Sequence, residues 1–187
     1  MVWTRAGKWI LGVFVIAAGA SAAAHAAREP EPAQEPRLRV LVVHGPNLNL
    51  LGRREPEIYG RTTLDQINAR LSKLAKEINV ELTTTQSNSE GVLVDAFQKH
   101  IDDVDGALIN GAGLTFSSVS LHDVIKAMPF PVIEVHISNL GTRDEIHRHS
   151  ILTPAVRGAV MGLGWRSYTA ALRSLAEIVR EEKASKR

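Results

Sequence analysis

Two pairs of residues have types and spacings that could move protons. Tyr59 follows Arg54 by five positions, in a stretch punctuated by Pro56 and Gly60, and His136 follows Glu134 by two. A phenol, with an ordinary pKa of ~10, is a poor base at neutral pH. A guanidinium close by favours the phenolate, so one or two arginines in a partly desolvated site would make it a usable base. A carboxylate beside an imidazole orients the ring and favours its charged form, which suits a general acid. Alternate residues of a strand face the same way, so Glu134 and His136 would share one face. Spacing alone also allows two plainer readings. Tyr59 could be a surface tyrosine stacked on an arginine, and Glu134–His136 a buried pair that only satisfies itself.

Such groups need elements to position them. The run LRVLVV (38–43) is apolar and β-branched, and it breaks at His44-Gly45-Pro46 before delivering Asn47, Arg53, Arg54 and Tyr59. It reads as a buried strand emptying into a polar loop. Further strands are predicted at Val80–Thr85, Gly106–Ile109, Pro131–His136 and Ala155–Met161. Helical periodicity predicts helices from Thr62 to about Asn79, from Ser87 to about Ile101, over Ser117–Met128 and over Arg166–Glu182. Residues 183–187 form a charged tail, and Arg180–Arg187 is expected to fray. Alternating strands and helices, with strands apolar on both faces, predict an α/β, flavodoxin-like, doubly wound sheet of five parallel strands in a single domain, 38–182. Ligands bind such sheets beyond the carboxyl ends of the strands. Asn47, Arg54, Tyr59, Asn110, Glu134, His136 and Ser138 would converge there.

Several chemistries are excluded or find no pattern. Cysteine is absent from the 187 residues, so there is no thiolate, disulfide or Cys nucleophile. Gly111-Ala112-Gly113 is neither a dinucleotide fingerprint nor a P-loop. His147 and His149 with His136 lack a compact third ligand, so no metal site is expected. Aromatic residues make up 5% and no basic cluster interleaves with them, so nucleic acid is not an expected partner.

Residues 1–26 read as a secretory signal peptide. Arg5 and Lys8 form a positive start, Ile10–Ala20 a short apolar run, and Ala24-His25-Ala26 a cleavage pattern. The apolar run is short for a span of ~20 residues, so the expectation is cleavage near Ala26, export to the periplasm and no stable membrane insertion afterwards. Residues 27–37 are a polar, Pro-rich linker. Cleavage removes Arg5 and Lys8 and no acid, which takes the formal charge from +2 to zero.

Three segments together resemble type II 3-dehydroquinate dehydratase: HGPNLNLLGRREPEIYG (44–60), LINGAGLTFSSVSLHD (108–123), and PVIEVHISN (131–139) with RDEIHRHS (143–150). The likeness extends to the GLG turn at 162–164. It implies a flavodoxin-like fold, no cofactor, a small-molecule substrate, and a homo-oligomer of trimers gathered into a dodecamer. It implies loss of water from 3-dehydroquinate, giving 3-dehydroshikimate by anti elimination through an enolate. Position by position, Tyr59 is the base, Arg54 keeps it ionised, and Asn47 holds a water at the enolate oxygen. His136 protonates the leaving hydroxyl, supported by Glu134. Asn110, Ile137 and Ser138 receive the substrate, and Asp123 reaches a neighbouring subunit's site. Phe116 and His147 depart from the pattern, standing where the family has a histidine and an arginine that bond the ring hydroxyls. The resemblance therefore leaves three outcomes open: a weaker-binding dehydratase, a dehydratase for a related cyclic hydroxy-ketone, or a non-catalytic relative that binds ring acids. An export signal would fit a role in quinate catabolism.

Overall fold

The computed structural model describes residues 36–186. The expected signal peptide and all but the last two residues of the linker lie outside them. Five parallel strands run in the order β2-β1-β3-β4-β5: β1 Leu38–His44, β2 Val80–Gln86, β3 Gly106–Asn110, β4 Val132–His136 and β5 Gly158–Met161. The chain lays β2 on one side of β1 and β3, β4 and β5 on the other, so the winding reverses between β1 and β3. That is where a doubly wound sheet opens a crevice.

Strand periodicity of two divides the core into two layers. Leu38, Val40, Val42 and Leu108 pack with Ile67, Leu71, Leu172 and Leu175, from α2 (Leu64–Glu77) and α5 (Arg166–Ser185). Leu41, Val43, Ala107 and Ile109 pack with Leu93, Phe97, Leu121 and Ile125, from α3 (Glu90–Lys99) and α4 (Val119–Ala127). Burying each such side chain is worth ~1.5–3 kcal/mol, which favours this register over any one-residue slip. The same alternation aims the polar strand ends. His44 and Asn110 continue the series that faces α2 and α5. In β4, Ile133 and Val135 take that face, so Glu134 and His136 face the other.

Local chemistry sets the helix starts. Thr63 caps α2 in a reciprocal box with Gln66. Ser118 caps α4 through the Leu121 N–H and donates its own proton to Glu90. At the crevice the loops after β1 and β3 touch: the Gly45 N–H donates to the Asn110 carbonyl at 2.8 Å. A Cβ at Gly45 would stand 2.3 Å from the Gly111 carbonyl oxygen, so only glycine fits.

Some boundaries differ from the sequence expectation. The 3-10 turn Ala112–Phe116 takes the chain past β3, and α4 begins only after its Ser118 cap. Another 3-10 turn, Thr153–Ala155, occupies the expected start of β5. Helix α3 is shorter at both ends than expected. Helix α5 continues past the expected end at Glu182 to Ser185, and Lys183 Nζ bonds Asp105 Oδ1 at 2.6 Å, tying the last turn to the loop before β3.

Candidate active site

A cavity of about 190 Å³ opens at the carboxyl edge of the sheet. Its walls come from the loop after β1 (Asn47, Arg54, Tyr59), from the end of β3 and its 3-10 turn (Asn110, Phe116), and from β4 with its following loop (His136, Ile137, Ser138, Arg143, His147). Two further residues expected at the site do not line it. Glu134 stands behind His136, and Asp123 lies on α4, exposed and bonded to the His122 ring at 2.9 Å.

The β4 side is part of the core. His136 Nε2 lies 2.7 Å from Glu134 Oε1, the contact that two-residue strand spacing allows. Ser150 Oγ also donates to Oε1 at 2.6 Å, and Thr153 Oγ1 donates to Oε2 at 2.6 Å. Ser150 Oγ itself accepts the Leu152 and Thr153 N–H groups, both at 3.1 Å, so its own proton is committed to the carboxylate. Burial alone would raise the carboxyl pKa. Hydrogen bonds from His136, Ser150 and Thr153 together outweigh it and hold Glu134 below the usual carboxylate range. The result is a buried anion fixed by three donors, with an imidazole presented to the cavity.

The β1 side stands on irregular backbone. Tyr59 closes the one-turn helix α1 (Pro56–Tyr59) and is half-buried. Arg143 Nη1 donates to its hydroxyl at 3.2 Å and to Ser138 Oγ at 3.2 Å. The Arg54 guanidinium lies 5.3 Å from the ring centroid and forks onto Glu55 Oε2 through Nε and Nη2, at 3.1 and 2.8 Å. Both cations border the phenol, but Arg143 is the one that touches its oxygen. A positive donor there stabilises an anion on that oxygen. Sequence reasoning did not single out Arg143, Ser150 or Thr153. All three lie in the polar loop after β4 or the 3-10 turn that follows it, where no periodicity separates one residue from its neighbours.

Phe116 and His147 meet edge to face with ring centroids 5.2 Å apart. Asp144 takes His147 Nδ1 with both oxygens at 2.8 Å, and this pairing holds the exposed Asp144 carboxyl below its usual range. Phe116 and His147, the two residues that the resemblance sets apart, therefore form one aromatic corner of the cavity, with His147 Nε2 left to offer.

The chain matches the family described as "Dehydroquinase class II" over residues 38–176. It is 47% identical over 135 residues to the 3-dehydroquinate dehydratase of Roseiflexus castenholzii, covering 72% of this chain and 86% of that one. It is 51% identical over 135 residues to the 3-dehydroquinate dehydratase of Bordetella avium, covering 72% and 94%. Among solved structures, the type II dehydroquinase of Propionibacterium acnes superimposes with a TM-score of 0.73 at 37% identity, over 76% of this chain and 99% of that one.

Proposed function

The chain belongs to the class II dehydroquinase family, and on that premise we propose that its cavity removes water from 3-dehydroquinate. The observation that carries this reading is the meeting of a phenol and an imidazole across one cavity, each with a charged partner at hydrogen-bond distance. Tyr59 as phenolate takes the proton α to the ketone; the C–H pair becomes the enolate double bond and the carbonyl π pair moves onto oxygen. Asn47, exposed at the cavity wall, steadies the resulting enolate through a water. The enolate re-forms the ketone and expels the ring hydroxyl, to which His136 gives a proton, so the leaving group departs as water. Glu134 keeps the imidazole in place. Ser138, Asn110 and the Ile137 backbone receive the substrate, and the Arg143 cation assists both Tyr59 and the substrate carboxylate near Ser138.

Mixing the protein with 3-dehydroquinate and following the conjugated enone absorbance of the product tests this directly. Turnover supports it; no signal at high protein and millimolar substrate overturns it. The Phe116–His147 corner favours a second reading, a related cyclic hydroxy-ketone with fewer ring hydroxyls. An unpaired buried hydroxyl costs ~1–3 kcal/mol. In a 3-dehydroquinate dehydratase with a weakened shell, Phe116→His combined with His147→Arg should lower KM for 3-dehydroquinate about tenfold. An unchanged or higher KM argues for the other substrate.

Export and a role in quinate catabolism belong to the same proposal, supported by the charged, apolar and A-x-A succession in residues 1–26. The mass of the mature protein locates its N-terminus and tests the cleavage on which that role depends. A dodecamer built from trimers is proposed as well. Asp123, exposed and off its own cavity, is available to a neighbour's. Light scattering reads the assembly.

A further inference from the structure

Asn110 lines the cavity, and its orientation is dictated from behind. The Ala112 backbone N–H can only donate, so its partner at 3.2 Å must be Asn110 Oδ1. Asn110 Nδ2 therefore faces the Tyr168 hydroxyl, 3.0 Å away, and donates to it. The phenol proton goes to its other neighbour, His44 Nδ1, at 3.1 Å. An accepting Nδ1 leaves the ring proton on Nε2, which lies 3.0 Å from the Asn68 Oδ1 acceptor. Each link determines the next, from a backbone amide at the cavity to the side chain of α2. His44 and Asn110 are register partners across β1 and β3, and Tyr168 of α5 packs its ring against His44 with centroids 5.4 Å apart.

We propose that Tyr168 and His44 are positioning residues of the cavity: they form a one-way hydrogen-bond chain that holds the Asn110 amide in a single orientation. Both are completely buried. Burial drives the His44 pKa down to about 4, against the pull of the Asn68 bond, and pushes the Tyr168 phenol up. Both stay neutral at working pH, and the chain keeps its direction. Flipping the amide would set Asn110 Nδ2 against the Ala112 N–H and Oδ1 against a hydroxyl whose proton is already committed. The donor and the acceptor that Asn110 holds beside the cavity would then exchange places. The kinetic consequence rests on the dehydratase reading; the orientation itself does not.

Nitrogen-15 spectra of the wild-type protein should show His44 protonated on Nε2 alone and one set of Asn110 side-chain amide signals. A His44 ring protonated on Nδ1 overturns the proposal without any variant. Tyr168→Phe should shift or split the Asn110 signals and raise KM for 3-dehydroquinate about tenfold, with kcat changing less than about threefold. His44→Leu should do the same. His44→Asn, which returns an acceptor near the Nδ1 position, should recover most of that loss. Because the residues act as one chain, Tyr168→Phe with His44→Leu should cost no more than the worse single change. A folded Tyr168→Phe protein with wild-type KM and unchanged Asn110 signals overturns the proposal. Should Tyr168→Phe fail to fold, the wild-type tautomer decides. Should the wild type show no turnover, the dehydratase reading fails while the spectra still decide the orientation.

Discussion

Glu134 and His136 have side-chain exposures of 0% and 6% and sit on a central strand, with three donors converging on one carboxylate. Tyr59, on another wall of the same cavity, stands on a single helical turn, half-buried, and its hydroxyl takes a hydrogen bond from a loop 84 positions later in the chain. The proposed acid is thus built as core, and the proposed base as two loops leaning on each other. A group built as core is preorganised by packing that also stabilises the fold, so disturbing it should cost stability. A group built on loops is positioned by few contacts, so disturbing it should cost catalysis and little else.

The largest expected effect tests the loop half. Tyr59→Phe removes only the hydroxyl of a half-buried ring, and it should lower kcat by ~10²–10⁴ while leaving unfolding free energy within about 0.5 kcal/mol of wild type. A variant that keeps its full rate would remove Tyr59 from the mechanism, and one that loses stability would erase the contrast. The core half should respond the other way. In Glu134→Gln the amide oxygen can stay where His136 and Ser150 donate, which sets the new NH2 against the Thr153 hydroxyl and removes the anion that all three groups now bond. The expected loss is ~2–4 kcal/mol by urea unfolding. A wild-type midpoint would mean that the hydroxyls rearrange and the pair is less committed than its geometry suggests.

A smaller effect sharpens the loop half itself. Arg143→Ala should lower kcat about tenfold to a hundredfold, more than Arg54→Ala, because Arg143 touches the phenol oxygen while Arg54 spends its fork on Glu55. The reverse ranking would give the activating role to Arg54. The smallest effect belongs to the core and appears as pH dependence. The folded pKa of His44, about 4, lies below its ordinary 6.5, so the unfolded chain binds this proton more readily. Stability is therefore complete above about pH 6.5 and falls as pH drops towards 4, by ~1 kcal/mol at about pH 5.5. Glu134 adds in the same direction at lower pH, since its depressed carboxyl loses its contribution as pH falls through the folded value. Melting at about pH 7.5 and pH 5.5 measures the slope, and His44→Asn should flatten it. A slope that survives in His44→Asn would assign it to another group.

How far the site was legible depended on the element carrying each residue. Glu134 and His136 could be paired on paper because strand periodicity is two, and the contact is the one that period allows. Tyr59 and Arg54 could be suspected because a tyrosine and an arginine share a short Pro- and Gly-punctuated loop. Arg143 could not be separated from Arg148 or His149, since an irregular loop has no period to say which side chain turns inward. Tyr168 precedes Leu172 by four and falls on the buried stripe of α5. Burial was therefore within reach of the helical period, but its partners His44 and Asn110 were not. The Phe116 and His147 departures were visible one at a time, and their edge-to-face contact was not.

The amino-acid sequence by itself determined the alternation of strands and helices, the parallel sheet and the edge where polar residues gather. Those follow from local periodicity and the requirement to bury apolar faces. Its motifs, read as a resemblance, named the family and most of the residues at that edge. Tertiary structure alone decided which arginine touches the phenol, what holds Glu134, which way Asn110 faces, and that the last helix runs through the charged tail to Ser185. The reason is physical. Periodicity is a property of neighbours in the chain, whereas a hydrogen bond between residues 84 or 124 positions apart exists only once the packing of both layers has set its geometry.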